Sequence, residues 1–187
     1  MHRLLQELML LPEMQYIKTE LDGGVSTAVT GLSPIHRVQL SAALAQAMGR
    51  PLLLLCADER ECERFAADME SLTGGKPLHL PGREMHLRPA AVASRQWDYR
   101  RIAALHRMQT ETPAVLLATA EALCQRCLPP QVLEQATTVL KVGQRYDVAA
   151  LCRRLADAGY TRCEQVEGAG QFALRGGILD VFSPEAE

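Results

Sequence analysis

The sequence of 187 residues has few aromatic side chains, only 4% of the total, and a formal net charge of just −2. This near balance of charge excludes a globally basic nucleic-acid binder and a disordered acidic tail, so any nucleic-acid contact has to be local. No apolar run approaches the roughly 18 residues needed to cross a bilayer, and no signal-peptide pattern opens the chain. With 48% apolar residues, a cytoplasmic protein with a real core is expected.

Metal-ligand patterns are equally sparse. Among the six cysteines, only Cys124 and Cys127 form a C-x-x-C pair, and neither a second such pair nor an H-x-x-x-H follows. A structural zinc site needs two ligand pairs of that kind. The cysteines are therefore expected to be reduced, buried thiols in apolar segments, without a metal ion or another cofactor.

The sequence also lacks a working phosphate loop. Residues 30–38, "TGLSPIHRV", lie where a strand is expected to run into a helix, which is where nucleotide-binding proteins place that loop. A working loop reads G-x-x-x-x-G-K-[ST], because backbone amides and a lysine cradle the phosphates while a hydroxyl holds magnesium. Counted from Gly31, the last three positions hold His36, Arg37 and Val38. Arg37 lacks the compact ammonium group and Val38 cannot ligate magnesium, so no ATP hydrolysis is expected. The same expectation holds if Gly31 is only a turn residue.

Strands and helices alternate through the first 130 residues, after an amphipathic N-terminal helix. Strands are predicted at 25–31, 50–57, 76–82 and from 113, with helices at 34–49, 58–75 and 94–109. The run 50–57 is typical of a parallel strand covered on both faces. The helix 94–109 is expected to place Ile102, Leu105 and Met108 on one face and Arg100 and Arg101 on its outer side. The alternation predicts an α/β domain with a parallel sheet over residues 1–130.

A small α+β domain is predicted over residues 131–187. Its expected elements are a strand at 137–146, a helix at 147–160 capped by Asp147, a strand at 161–166 and a pair of strands broken at Gly176 and Gly177. Phe172 and Phe182 are expected to share the face that packs on the helix. Because the chain stops shortly after these strands, it is expected to be a truncated piece of a longer protein.

A resemblance to a known family is carried by three segments: "LPGREMHLRPAAVASRQWDYRRIAAL" (80–105), "AVLLATAEAL" (114–123) and "LKVGQRYDVAALCRRLADAGYTRCEQVEGAGQFALRGGILDVF" (140–182). They resemble the UvrB-like N-terminal module of bacterial transcription-repair coupling factors (Mfd), over nearly the whole chain. The resemblance implies a helicase-like domain with a degenerate phosphate loop, followed by the start of a UvrA-binding domain. It also implies that the family's translocase motor lies outside this fragment, which would have no ATPase activity.

The same resemblance implies a function in transcription-coupled nucleotide excision repair, with UvrA as the partner. RNA polymerase and double-stranded DNA would be partners of the full-length protein. Among the residues of the chain, Arg175 is the leading candidate for the UvrA contact. It precedes a double glycine, and its guanidinium group, with five N–H donors, suits bidentate pairing with a carboxylate. Gly176, Gly177 and the weaker candidate Arg162 complete the predicted site. The alternative for Arg175 is an ion pair inside its own domain, with Asp180, Glu164 or Glu167.

The sequence leaves two alternatives to compare with this interpretation. UvrB itself is excluded, since it needs a functional phosphate loop and an aromatic-rich hairpin. A nucleic-acid-binding module is the second alternative, with phosphate contacts from arginines and with Trp97 and Tyr99 stacking on bases. Its basic residues would be Arg83, Arg88, Arg95, Arg100, Arg101 and Arg107, of which Arg95, Arg100 and Arg101 are the candidate contacts. A charge run is more often a solvated face, and the salt dependence of binding would discriminate the two.

Overall fold

A computed structural model describes residues 3–83 and 96–184. The helices and strands follow in chain order: α1 (Arg3–Met9), α2 (Pro12–Asp22), α3 (Pro34–Met48), β1 (Leu52–Cys56), α4 (Glu59–Thr73), β2 (Leu78–Leu80), α5 (Gln96–Thr110), β3 (Val115–Thr119), α6 (Ala120–Cys124), α7 (Pro130–Ala136), α8 (Val148–Asp157), β4 (Thr161–Arg162), β5 (Gln171–Arg175) and β6 (Ile178–Phe182). Among these residues, no helix is both long and apolar enough to span a membrane.

The chain divides into two compact units. The first comprises residues 1–82 and 111–124, and the second comprises residues 83–110 and 125–187. The first contains a parallel sheet and the second a small mixed sheet. The predicted α/β class is therefore confirmed at this level, while the predicted domains 1–130 and 131–187 stay a prediction.

The sheet of the first unit has the strand order β1-β3-β2 with all strands parallel. The central strand β3 is buried, and α4 packs against all three strands. Strand β1 lies at an edge of this sheet, and its side chains alternate in exposure, with Leu53 48% and Leu55 56% exposed. The expectation that this strand is covered on both faces was therefore wrong. A continuous apolar run does not distinguish an edge strand from a central one.

Helix α4 has the capping residues at both ends that the sequence predicts. The carboxylate of its N-cap, Asp58, accepts a hydrogen bond from the amide of Glu61 at 2.7 Å, and the Glu61 side chain accepts one from the amide of Ala57 at 2.7 Å. At the other end, Gly74 has a φ of 70° and donates its amide to Glu70. These bonds satisfy backbone groups that the helix itself leaves unpaired.

Asp58→Ala is expected to lower the free energy of unfolding by about 1 kcal/mol, because the Glu61 amide loses its acceptor. Urea denaturation followed by circular dichroism measures this loss. Glu63→Ala, an exposed position on the same helix, is the matched control and is expected to change stability by less than about 0.5 kcal/mol. Equal losses in the two variants would contradict the capping argument.

Two predicted strands are absent from the described part of the chain. Residues 25–30 form an irregular segment, in which Val25 and Val29 are exposed. Residues 137–146 contain a turn at Gly143, whose φ is 83°, and the Tyr146 hydroxyl accepts the amide hydrogen of Lys141 at 2.8 Å. Helix α7, which precedes this turn, was not predicted, and the predicted strand 161–166 is reduced to the two residues of β4.

The sheet of the second unit has the strand order β4-β5-β6, with β4 parallel and β6 antiparallel to β5. Gly176 and Gly177 form the two-residue turn of the predicted hairpin, with φ values of 53° and 91°. Positive φ at both positions is typical of a type I′ turn and favours glycine. Helix α8 is capped as predicted, since Asp147 accepts the amide of Ala149 at 2.9 Å.

The hairpin register corrects the prediction for its two phenylalanines. Phe172 lies opposite Val181, whereas Phe182 lies opposite Gln171. Directly opposed residues share a face of a sheet, so Phe172 and Phe182 lie on opposite faces. Phe172 is 2% exposed and belongs to the core, while Phe182 is only partly buried. The error arose because the two-residue turn sets the register that relates the two strands.

Candidate functional site

The hairpin end places Arg175 on the surface. Arg175 is the last residue of β5, and its Nη2 donates a hydrogen bond to Asp180 Oδ2 at 2.7 Å. The two side chains are 63% and 38% exposed. The ion pair that the sequence left open as an alternative is therefore present. At this exposure such a pair contributes at most about 1 kcal/mol, so it holds Arg175 only weakly.

The surface around Arg175 combines charged and apolar groups. Ile178, directly opposite Arg175 on β6, is 67% exposed. Arg175 and Arg162 both line a shallow surface groove together with Cys163, Glu164 and Leu174. The structure therefore brings the two predicted arginines to one surface, beside an exposed isoleucine. Arginine side chains and apolar side chains that become buried on binding are typical of protein–protein interfaces.

The glycine turn leaves that surface open. A methyl group added at Gly176 or Gly177 would meet no heavy atom within 4 Å. The four predicted contact residues, Arg162, Arg175, Gly176 and Gly177, are all exposed. We name this set, with Ile178, the hairpin surface.

The residues at the phosphate-loop positions have other roles. Gly31 has a φ of 78°, as a turn glycine does, and the Ser33 hydroxyl lies 3.0 Å from His36 Nδ1. Arg37 pairs with Glu61 at 3.6 Å, and Val38 is completely buried in the core.

Pro34, the first residue of α3, has no amide hydrogen to offer a phosphate. The start of α3 is thus built from an ion pair, a proline and a core valine. Its side chains supply neither the lysine nor the hydroxyl that phosphate and magnesium require.

Arginines of the basic segment 83–107 contact other residues of the second unit. Arg83 Nε lies 2.9 Å from Asp98 Oδ1, and the Arg100 guanidinium lies over the Trp97 ring at 5.3 Å from its centroid. Arg95, a predicted nucleic-acid contact, and Arg88 of the same segment lie outside the described residues.

Arg101 corrects the expected orientation of α5. It was predicted on the outer side of the helix but is 3% exposed, and its Nη2 lies 3.1 Å from Cys127 Sγ and 3.4 Å from the Gln125 carbonyl oxygen. A buried guanidinium requires acceptors, and residues distant in sequence supply them here. Ala104 is buried on the same helix, whereas Met108, predicted to lie on the apolar face, is exposed.

Tyr99 also has a packing role that the sequence did not reveal. A methyl group added at Gly170, whose φ is 74°, would lie 2.4 Å from the Tyr99 hydroxyl oxygen. Tyr99 thus packs directly on the Gly170 backbone, and it lines a mainly apolar cavity of about 400 Å³ with Leu155 and Val181. Tyr99 therefore has a packing role within the second unit, where its side chain is partly buried.

The cysteines fall into three groups. Cys56 and Cys62 are buried, Cys152 and Cys163 are partly buried, and Cys124 and Cys127 are exposed. Burial raises the pKa of both the Cys56 and the Cys62 thiol. The two buried thiols are therefore protonated and poorly nucleophilic near neutral pH. The exposure of the C-x-x-C pair corrects the expectation that its thiols are buried.

Comparison with known proteins relates these features to a family. Residues 138–187, which contain the hairpin surface, match the family model described as the UvrB interaction domain. The match covers the C-terminal part of the second unit.

The relatives that align with most of the chain identify the family more specifically than this domain match does. A transcription-repair-coupling factor from Myxococcus xanthus is 33% identical over 88% of this chain, one from Mycobacterium bovis is 32% identical over 88%, and one from Bacillus subtilis is 28% identical over 85%. In each case the chain spans 14% of the relative's length. The predicted resemblance to transcription-repair coupling factors is therefore confirmed over most of the chain.

Proposed function

We propose that this chain is a UvrA-recruiting module of transcription-coupled nucleotide excision repair, with no ATPase activity of its own. The observation that supports the proposal most directly is the exposed Arg175 of the hairpin surface, within the segment that matches the UvrB interaction domain. Arg175 would pair bidentately with a carboxylate of UvrA, and Ile178 would supply apolar contact beside it.

The remaining residues of the hairpin surface fit this function. Gly176 and Gly177 keep the turn free of side chains, so a partner backbone can approach the strand ends. Arg162 would add a second positive charge from the groove that it shares with Arg175. In the longer proteins that the chain resembles, RNA polymerase and double-stranded DNA would be partners of other regions.

The first unit would then be a helicase-like domain whose phosphate loop is degenerate. The proposal rests on the position of Gly31 ahead of α3 and on the roles of Arg37 and Val38 in an ion pair and the core. Such a unit would serve as a scaffold rather than as a motor.

UvrA binding is tested with purified UvrA and the immobilised chain, by biolayer interferometry. Saturable binding that Arg175→Glu weakens is the expected result. The matched control is Arg100→Glu, an exposed arginine of the same unit outside the hairpin surface, which is expected to bind normally. Absence of binding by the folded wild-type chain, or equal loss in both variants, would contradict the proposal.

The phosphate-loop proposal predicts that the chain does not bind ATP. Calorimetric titration with magnesium-ATP is expected to give no heat of binding, because no lysine or hydroxyl stands at the last two loop positions. Arg37→Glu, which breaks the pair with Glu61, is expected to give the same result. A micromolar dissociation constant for the wild-type chain would show that the site still functions.

A further inference from the structure

We propose that Glu59, Cys62 and His79 form a binding site for a divalent transition metal ion of the zinc type. One carboxylate oxygen, the thiol sulfur and one imidazole nitrogen lie within 4.8 Å of one another. All three residues belong to the first unit. This site is separate from the hairpin surface, and it does not depend on the proposed function.

The fold positions the three side chains from two elements. Glu59 and Cys62 are three residues apart on α4, a spacing that puts both on one face of a helix. His79 is the middle residue of β2, and α4 packs against that strand. Cys62 is completely buried, while Glu59 and His79 are partly exposed. The cluster therefore lies at the margin of the buried core.

The Glu59 carboxylate is held in place on one side. Its Oε1 accepts a hydrogen bond from the Gly82 amide at 2.8 Å. A methyl group at Gly82 would lie 3.1 Å from this oxygen, so the close approach favours glycine. An outer hydrogen bond of this kind orients a metal-binding carboxylate.

The other carboxylate oxygen faces the histidine. Glu59 Oε2 and His79 Nε2 are 2.8 Å apart, which is an ion pair when the imidazole is protonated, and neither atom has a further hydrogen-bond partner in the described part of the chain. Both atoms are inaccessible to solvent. Buried polar atoms are costly when they are left unsatisfied. A cation bound by both atoms, at one side of the pair, would accept an electron pair from each.

The donor set suits zinc chemistry. Thiolate sulfur, imidazole nitrogen and carboxylate oxygen are the three protein ligand types of zinc, and three protein ligands leave a fourth position to water. On binding, the metal-sulfur bond replaces the S–H bond of Cys62, and the proton leaves to the buffer. The thiolate and carboxylate charges then balance the dication. Sequence patterns missed this set because the third ligand comes from a separate strand rather than from a C-x-x-C pair.

The site is tested on the whole chain, stripped of metal by a chelator and titrated with Co²⁺ as a spectroscopic probe. One ion per chain and a sulfur-to-cobalt charge-transfer band are expected, with zinc displacing the cobalt. Cys62→Ala is expected to abolish the band, and His79→Gln to weaken binding by about tenfold or more. Cys124→Ala and Cys127→Ala, in the exposed C-x-x-C pair, are the matched controls and should keep the band.

Zinc is also expected to raise the melting temperature of the wild-type chain and of both controls, and to raise that of His79→Gln less at the same zinc concentration. This second measurement decides the question if Cys62→Ala does not fold. Three results would overturn the proposal: no charge-transfer band in the wild-type chain, a band that survives in folded Cys62→Ala, or a band lost in either control. A melting temperature unchanged by zinc in the wild-type chain would also overturn it.

Discussion

Phe172→Ala is expected to lower the free energy of unfolding of the second unit by about 3–5 kcal/mol, the usual loss for truncating a buried phenylalanine. Phe172 is 2% exposed on the central strand of the small sheet. Its removal leaves a cavity that neighbouring strands can fill only in part. Urea denaturation followed by the fluorescence of Trp97 measures the effect, because this single tryptophan lies on α5 in the same unit.

Phe182→Ala is the matched control for this measurement. Phe182 has the same side chain in the same hairpin, but it lies on the opposite face and is only partly buried. A clearly smaller loss is therefore expected, since less apolar surface returns to water. Equal losses in the two variants would mean that the face assignment derived from the hairpin register is wrong.

Elements with strong local signals were predictable from the sequence. Helix α4 has an N-cap aspartate and a closing glycine, α8 has Asp147, and the hairpin has two adjacent glycines. Each signal acts through hydrogen bonds or φ values within a few residues, so it can be recognised without knowledge of the fold. The positions of these elements accordingly agree with the prediction.

Features that depend on distant residues were not predictable in this way. Residues 25–31 have a strand-like composition, yet a strand also needs a hydrogen-bonding partner, and the described structure provides none there. Arg101 is buried because Gln125 and Cys127 accept its hydrogen bonds. An apolar pattern on α5 alone gives no sign of such acceptors, and so it placed Arg101 on the outer side, whereas Arg100 is exposed as predicted.

The candidate site shows the same division. The exposed Arg175 and its glycine turn follow from adjacent residues, and Asp180 was among the partners considered for Arg175. The roles of Arg37 and Val38 depend on Glu61 and on the core, and the cluster of Glu59, Cys62 and His79 depends on the packing of a helix against a strand. Only the folded chain brings those groups together.

The ion pair between Arg175 and Asp180 does not by itself decide what Arg175 does. An exposed pair costs little to break, so Arg175 can exchange Asp180 for a carboxylate of a partner. If Arg175 serves only its own unit, its removal should lower stability slightly and leave UvrA binding unchanged. If it serves UvrA, the larger effect should appear in binding. The two roles therefore predict different measurements.

Arg175→Ala is expected to weaken UvrA binding by about 2–5 kcal/mol, because a partner carboxylate would be left buried and unpaired. Arg175→Glu is expected to weaken binding at least as much, since it places a negative charge opposite the carboxylate of UvrA. The free energy of unfolding should change by less than about 1 kcal/mol in either variant. Titration calorimetry with UvrA and urea denaturation measure the two quantities.

Asp180→Asn separates the two roles of Arg175. It removes the charge that holds Arg175 within the hairpin but leaves the arginine in place. UvrA binding is expected to stay the same or to strengthen, because the guanidinium no longer has to leave a charged partner. If Arg175 acts by organising the hairpin through Asp180, this variant should instead weaken binding as much as Arg175→Ala does. That result, or normal UvrA binding by folded Arg175→Ala and Arg175→Glu, would refute the assignment of Arg175 as a UvrA contact.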